Sequence, residues 1–262
     1  MSMYPTIHLI KAKLSRANRH IRDFGLASKA FNDSVPYSVA FKENRTAGKR
    51  IYYLSRVDPL PIELATIAAD VLQNLRSALD QTAFQMELVG NGGAEPKHRV
   101  YFPIANGAAE YPRLRTKYLR FMRQDAADAI DLIEPYKGGK GHALWQLNKL
   151  SNADKHKLLI ATGAYTRGVD VSHIGTHAFR RMCVPITLPP LFIGEVSGPV
   201  GLSVGDALFI DAFEHQVQQD LKIVCDVSFD YPAIIQREPA IKTLHNMETL
   251  VNATVARLEP FL

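Results

Sequence analysis

The stretch from Pro61 to about Val89 constrains the fold most, because it predicts one long amphipathic helix. Mostly apolar residues recur there every three or four positions and form one stripe: Leu64, Ala68, Val71, Leu75, Ala78, Thr82 and Met86. Proline in a first turn favours a helix start, and GNGGAEP ends the pattern. Such a stripe is typical of a helix that packs within a bundle.

Other regions predict both helices and strands. Helical patterns occupy residues 7–32, 108–123, 125–134, 142–163 and 238–258. β-branched and aromatic residues dominate 37–57, which predicts a β-hairpin, and 168–236, which predicts a small antiparallel sheet. We therefore expect an α+β fold: mainly a helical bundle, with an N-terminal β-hairpin and a small antiparallel sheet inserted before the last helix. We predict a single domain over 1–262, with a helical core at about 7–32, 61–165 and 237–260.

The composition sets broad limits on the protein's class. With 262 residues, 47% hydrophobic and 22% charged, the chain has an ordinary globular composition. It contains no apolar run long enough for a membrane span. Its first twenty residues lack the apolar region of a secretory signal, and its two cysteines form no CxxC pattern, which predicts a reduced, cytoplasmic protein. The net charge of +5 slightly favours polyanionic partners.

The segment NLRSALDQTAF places Arg76 and Asp80 on adjacent turns of the long helix. One interpretation is a boundary ion pair, worth about a few tenths of a kcal/mol. The other is a pair turned into the bundle, where each charge needs a partner.

The segment LSNADKHKLLI supplies candidate partners, because Asn152 and His156 fall at four-residue spacing with Asp154 between them. Ser151 allows a different interpretation, a helix cap at a junction between two helices. The side chain of His156 could serve as a general acid or base. We predict a polar catalytic site composed of five residues: Arg76, Asp80, Asn152, Asp154 and His156.

Together, LRSALDQ, YFPI and LWQLNKLSNADKHKLLI resemble a group of uncharacterised bacterial proteins, over about Leu64 to Ile160 and weakly in the last helix. In that group the first motif often ends in histidine, where this chain has Gln81. The resemblance implies no function.

The first motif also resembles the arginine-x4-histidine signature of the HEPN superfamily of helical bundles. That resemblance implies a HEPN-like bundle, a homodimer, and cleavage of RNA without a metal, with Arg76 steadying the phosphate. Glutamine cannot exchange a proton near neutral pH, so Gln81 departs from the catalytic signature. His156 would have to replace the missing histidine, and an inactive binding module is equally compatible.

Basic residues cluster in two places. Five of them are interleaved with aromatic residues in PRLRTKYLRFMRQ: Arg113, Arg115, Lys117, Arg120 and Arg123. Lys49 and Arg50 follow the tip of the predicted hairpin. Such patterns suit nucleic-acid backbones and bases; the alternative is a solvated helix face.

Metal and cofactor motifs are weak. His173 and His177 have HxxxH spacing in a segment without a helical pattern, and no dinucleotide, nucleophile-elbow or HExxH motif occurs. We therefore expect neither metal nor cofactor. The leading prediction is a HEPN-like protein that binds nucleic acid, RNA in particular, with metal-independent cleavage of RNA as a candidate activity that the sequence leaves open. The alternative is a non-catalytic helical scaffold for protein–protein interaction or self-association.

Overall fold

The computed structural model describes residues 6–46, 49–157, 161–170, 192–193, 204–205, 207–212, 222–229, 234–235 and 238–262. Its helices are α1 (Thr6–Asp33), α2 (Ile62–Gly90), α3 (Tyr111–Tyr118), α4 (Gln124–Asp131), α5 (His142–Lys157) and α6 (Ala240–Leu258). A 3-10 turn over Glu259–Phe261 follows α6. No helix of the described residues is long and apolar enough to cross a bilayer.

The strands form two antiparallel sheets of three strands each within the described ranges. They are β1 (Tyr37–Asn44), β2 (Lys49–Val57), β3 (Ala161–Asp170), β4 (Phe192–Ile193), β5 (Ala207–Ala212) and β6 (Lys222–Phe229). One sheet has the order β1-β2-β5 and the other β4-β3-β6. The mixed α+β class is confirmed, while a HEPN-like bundle stays a prediction.

Helix α2 is the central element of the core. Every residue of the predicted stripe from Leu64 to Met86 is buried. The helix packs against α1, α5 and α6, whose own apolar faces include Ile21, Leu147 and Met247. Each fully buried side chain of this size contributes about 1.5–3 kcal/mol, so packing rather than helix propensity holds α2 in place.

The structure contradicts the predicted helical core over 161–165. Helix α5 ends at Lys157, and Ala161 begins strand β3, which pairs with β6. The segment ATGAYTRGVD contains four β-branched or aromatic residues, which favour a strand. Its partner strand lies about sixty residues later, since Tyr165 pairs with Asp226. A local pattern could not show that pairing.

The hairpin and strand β5 of the later β region share one sheet, although we predicted two separate β regions. Strand β5 adds to the hairpin, with Ile51 opposite Ile210 and Tyr52 opposite Phe209.

Helix α5 is continuous through Ser151, which is fully buried. The alternative interpretation, a helix cap at Ser151, is therefore wrong.

Candidate functional site

Arg76 and Asp80 form an ion pair that faces inward from α2. The Arg76 Nη2 atom lies 3.0 Å from Asp80 Oδ1, and Arg76 as a whole is only 9% exposed. Asp80 is less covered, with 24% of its side chain exposed. Leu75 and Leu79, the residues next to the pair, are fully buried, so the pair lies at the inner edge of the apolar stripe. This geometry matches the interpretation of a buried pair.

The ion pair holds the backbone of Phe102. The Arg76 guanidinium donates a hydrogen bond to the Phe102 carbonyl at 3.2 Å, and the Phe102 N–H donates to Asp80 Oδ1 at 2.9 Å. The Phe102 ring is itself buried in the core. A buried backbone N–H and C=O both need partners, and hydrogen bonds to charged groups are the stronger kind. We call Arg76, Asp80 and Phe102 the Phe102 clamp.

The charge of Arg76 is balanced inside the clamp. Burial lowers the pKa of its guanidinium below the ordinary value, while the nearby Asp80 carboxylate and the Tyr118 and Tyr101 phenols act in the opposite direction. Arginine remains protonated at neutral pH even so. A phosphate at this position would compete with Asp80 and the Phe102 carbonyl for the guanidinium.

A cleft runs along α2 beside the clamp. Its volume is about 410 Å³, and it is lined by Gln73, Arg76, Ser77, Asp80, Gln81, Phe84 and Val100. Arg76 Nη1 and Gln81 Oε1, atoms of two lining residues, are buried and have no hydrogen-bond partner among the described residues. We call this groove the α2 cleft.

The second motif contacts α2 at Gln73, the residue directly before the first motif. Its Nε2 atom donates to Asp154 Oδ2 at 3.3 Å and to the Ser151 carbonyl at 3.4 Å. Asn152 is exposed on the same helix. The side chain of His156 lies outside the described residues, although its backbone belongs to α5. The structure thus places Asp154 next to a residue of the α2 cleft and leaves Asn152 facing solvent.

Most of the predicted basic cluster is paired with carboxylates. Arg113 lies 2.9 Å from Glu110, and Arg115 lies 2.8 Å from Asp131. The hydrogen bond to Asp131 raises the pKa of Arg115 above its ordinary value. Arg123 pairs with Asp125. These three arginines are partly neutralised by carboxylates on the same or neighbouring elements.

The two predicted cations of the hairpin, Lys49 and Arg50, lie in different surroundings. Arg50 lies 3.2 Å from Glu43 and stacks over the Phe41 ring at 4.8 Å. Lys49 is exposed at the start of β2. The hairpin tip therefore offers less positive charge than its sequence indicates.

A second set of cations lies between the clamp and α4, on two facing segments. Residues 97–101 contain Lys97 and Arg99, and residues 117–121 contain Lys117 and Arg120; all four side chains are exposed. None of the four forms an ion pair with a carboxylate of the described residues. Sequence reasoning missed Lys97 and Arg99, although the interleaved pattern KHRVY was a signal for them.

Aromatic rings join the two segments. The His98 and Phe121 rings lie 5.5 Å apart, and the Tyr101 and Tyr118 rings meet edge to face at 6.0 Å. Arg120 lies 4.3 Å above the Phe121 ring. Tyr101 and Phe121 are 39% and 41% exposed. We call residues 97–101 and 117–121 the basic–aromatic patch.

The patch is held against α2 at one end of its first segment, where the Phe102 clamp binds the backbone. Near the other end, His98 Nε2 lies 3.2 Å from the carboxylate of Glu87, which is only 1% exposed, but no hydrogen bond joins the two groups among the described residues.

Metal ligands do not gather in the described part of the chain. No group of three or more histidine, cysteine, aspartate or glutamate side chains there could hold a metal ion. His173 and His177 lie outside the described residues.

Comparison with family models, with curated proteins and with solved structures gives no match to this chain. The resemblance to HEPN proteins and to the bacterial group with related motifs therefore stays a prediction.

Proposed function

We propose that the protein binds single-stranded nucleic acid, and RNA in particular, on the basic–aromatic patch. The observation that carries the proposal is the set of four exposed cations that lack carboxylate partners among the described residues and surround four aromatic rings. Proteins that bind single strands combine positive charge along the backbone with rings on which bases stack. The preference for RNA comes from the HEPN resemblance.

The partial exposure of Tyr101 and Phe121, 39% and 41%, favours a single strand over a duplex. Bases must be unstacked from each other before they can stack on a protein ring, and only a single strand offers them at small cost. Each stacked base contributes about 1–3 kcal/mol. The two rings therefore add affinity that the cations alone would not supply.

We propose binding without cleavage. Arg76, the arginine that the resemblance assigns to the phosphate, already donates to Phe102 and pairs with Asp80. Gln81 cannot act as the general base. Metal-independent cleavage of labelled RNA in EDTA, lost in His156→Ala while affinity and stability are kept, would contradict this part of the proposal.

The salt dependence of RNA binding tests the proposal. We expect the double variant Lys117→Gln, Arg120→Gln to reduce the slope of log K against log salt by roughly 1.4, because each lost phosphate contact on a single strand removes about 0.7. The measurement is fluorescence anisotropy with a labelled oligonucleotide at several salt concentrations. Weaker binding with an unchanged slope would count against phosphate contacts at these lysine and arginine positions.

Arg113→Gln, Arg123→Gln is the matched control, since it removes the same charge from arginines that pair with Glu110 and Asp125. We expect its slope to stay close to that of the unaltered protein. The rival function is a helical scaffold for protein–protein interaction or self-association. No salt-dependent binding in the unaltered protein would favour that rival over the proposal.

A further inference from the structure

We infer that helix α1 carries a second binding surface, which holds the phosphate backbone of a double-stranded nucleic acid. The surface consists of three exposed arginines at three-residue spacing, Arg16, Arg19 and Arg22, which we call the α1 arginine row. It lies on a different element from the basic–aromatic patch and shares no residue with it, so it goes beyond the proposed function.

The α1 arginine row lies in a part of the helix with surplus positive charge. From residue 6 to residue 22, α1 contains five lysines and arginines and no aspartate or glutamate. None of the three row arginines forms an ion pair with a carboxylate of the described residues. The first acidic residue of the helix, Asp23, lies 3.7 Å from His20 Nδ1 instead. The row therefore presents positive charge that its own helix does not cancel.

Neutral acceptors on the same helix orient two of the three guanidinium groups. Arg16 Nε donates to His20 Nε2 at 3.0 Å, and Arg22 Nη1 donates to Asn18 Oδ1 at 2.8 Å. An imidazole nitrogen that accepts a hydrogen bond and an amide oxygen carry no charge, so these bonds orient the guanidinium groups without cancelling their charge. Each bond uses one of the five N–H groups of an arginine, and phosphate binds such groups with strong, charge-assisted hydrogen bonds.

The surface suits the backbone of a duplex because it carries charge without exposed aromatic rings. Both phenylalanines of α1, Phe24 and Phe31, are buried, and the helix contains no tyrosine or tryptophan. Double-stranded nucleic acid keeps its bases stacked on each other, and a protein can hold it through phosphate contacts alone. The row extends about 9 Å along the helix axis, which covers roughly three nucleotides of one duplex strand at about 3.4 Å each.

Two other cations of α1 supply a matched control, because each is paired with a carboxylate. Lys11 Nζ lies 2.7 Å from Glu259, and Lys29 pairs with Asp33. Both lysines are exposed on the same helix as the row. Removing them changes the net charge as much as removing two row arginines does, but takes away charge that is already partly neutralised.

The test measures binding of a blunt-ended, fluorescently labelled DNA duplex by anisotropy at several salt concentrations. We expect Arg16→Gln, Arg19→Gln to reduce the slope of log K against log salt by about 1.8, because each lost phosphate contact on a duplex removes about 0.9. Lys11→Gln, Lys29→Gln should leave the slope close to that of the unaltered protein. All four positions are exposed, so both variants should keep the melting temperature of the unaltered protein.

The patch variant Lys117→Gln, Arg120→Gln separates this surface from the proposed function. It should leave the duplex slope unchanged, whereas Arg16→Gln, Arg19→Gln should leave the slope for a single strand unchanged. The expected duplex result would support the second surface even if no single strand binds, so failure of the proposed function remains distinguishable.

Three duplex results would overturn the inference: no salt-dependent binding, an equal fall in slope for both α1 variants, or a slope that falls only in the patch variant. Vesicles of phosphatidylserine and phosphatidylcholine test another polyanionic surface. Vesicle binding that is lost in Arg16→Gln, Arg19→Gln, without any duplex binding by the unaltered protein, would assign the α1 arginine row to lipid and overturn the inference as well.

Discussion

Replacing Arg76 by alanine is expected to lower the free energy of unfolding by about 2–4 kcal/mol, because it removes one partner of a largely buried ion pair. The change removes the donor to the Phe102 carbonyl and the Arg76 partner of Asp80. For a protein of this length we expect the melting temperature to fall by about 5–15 °C. Thermal unfolding followed by circular dichroism measures it.

Arg113→Ala is the matched control for this prediction. Arg113 also pairs with a carboxylate on its own side of the helix, Glu110, but its side chain is 69% exposed. An exposed pair of this kind contributes less than about 1 kcal/mol. Asp80→Ala tests the clamp from the other side, and the double variant with Arg76→Ala should cost clearly less than the sum of the two single changes. Additive losses, or equal losses at Arg76 and Arg113, would show that the Phe102 clamp does not exist as described.

Gly90→Ala is expected to destabilise the protein by at least about 2 kcal/mol, although alanine normally stabilises a helix relative to glycine. Gly90 is the last residue of α2, and a Cβ there would meet the carbonyl oxygen of Phe121 and lie 2.9 Å from both Met122 Cα and Arg123 N. All three contacts are backbone atoms, which cannot rotate away. The chain at Phe121 must therefore shift, and urea unfolding should show the loss.

Gly25→Ala is the control with the opposite expected sign. Gly25 lies inside α1, and a Cβ there would be an ordinary 3.8 Å from Ile241 Cδ1. The substitution should therefore stabilise the protein by about 0.5–1 kcal/mol through helix propensity alone. Losses of similar size at both glycines would mean that the close approach of Phe121 to α2 is not the cause.

The shift at Phe121 also links stability to the proposed function. Phe121 carries the ring on which Arg120 stacks and which faces His98. Gly90→Ala should thus weaken RNA binding even at temperatures where the protein remains folded. Retained affinity in a folded Gly90→Ala protein would place the strand away from Phe121.

The sequence predicted α1, α2 and α6 well because each depends on a local repeat. Leu64, Val71 and Leu75 recur at the helical period, and all are fully buried as that period requires. The prediction that the helical core continues beyond Ala161 was wrong, because a local repeat does not decide the structure there. The state of that segment is decided by strand β6, and no local period records a partner that distant.

The sequence also selected Arg76 and Asp80 as a charged pair beside an apolar stripe, and the structure contains that pair. It could not identify what the pair holds. We predicted side chains of α5 as its partners, and among the described residues the pair also binds the backbone N–H and C=O of Phe102. Backbone groups are the same in every residue, so their role in a site leaves no trace in residue type.

The basic residues show the same difference between what the sequence predicts and what the structure decides. The sequence by itself determined a basic segment with aromatic residues, because side-chain type and spacing are written in it. Only the tertiary structure decided which cations pair with a carboxylate among the described residues: Arg115 is paired with Asp131, whereas Lys117 and Arg120 join Lys97 and Arg99. Ion pairing depends on distances of a few ångströms between elements, and those distances exist only once α2, α3 and α4 have packed.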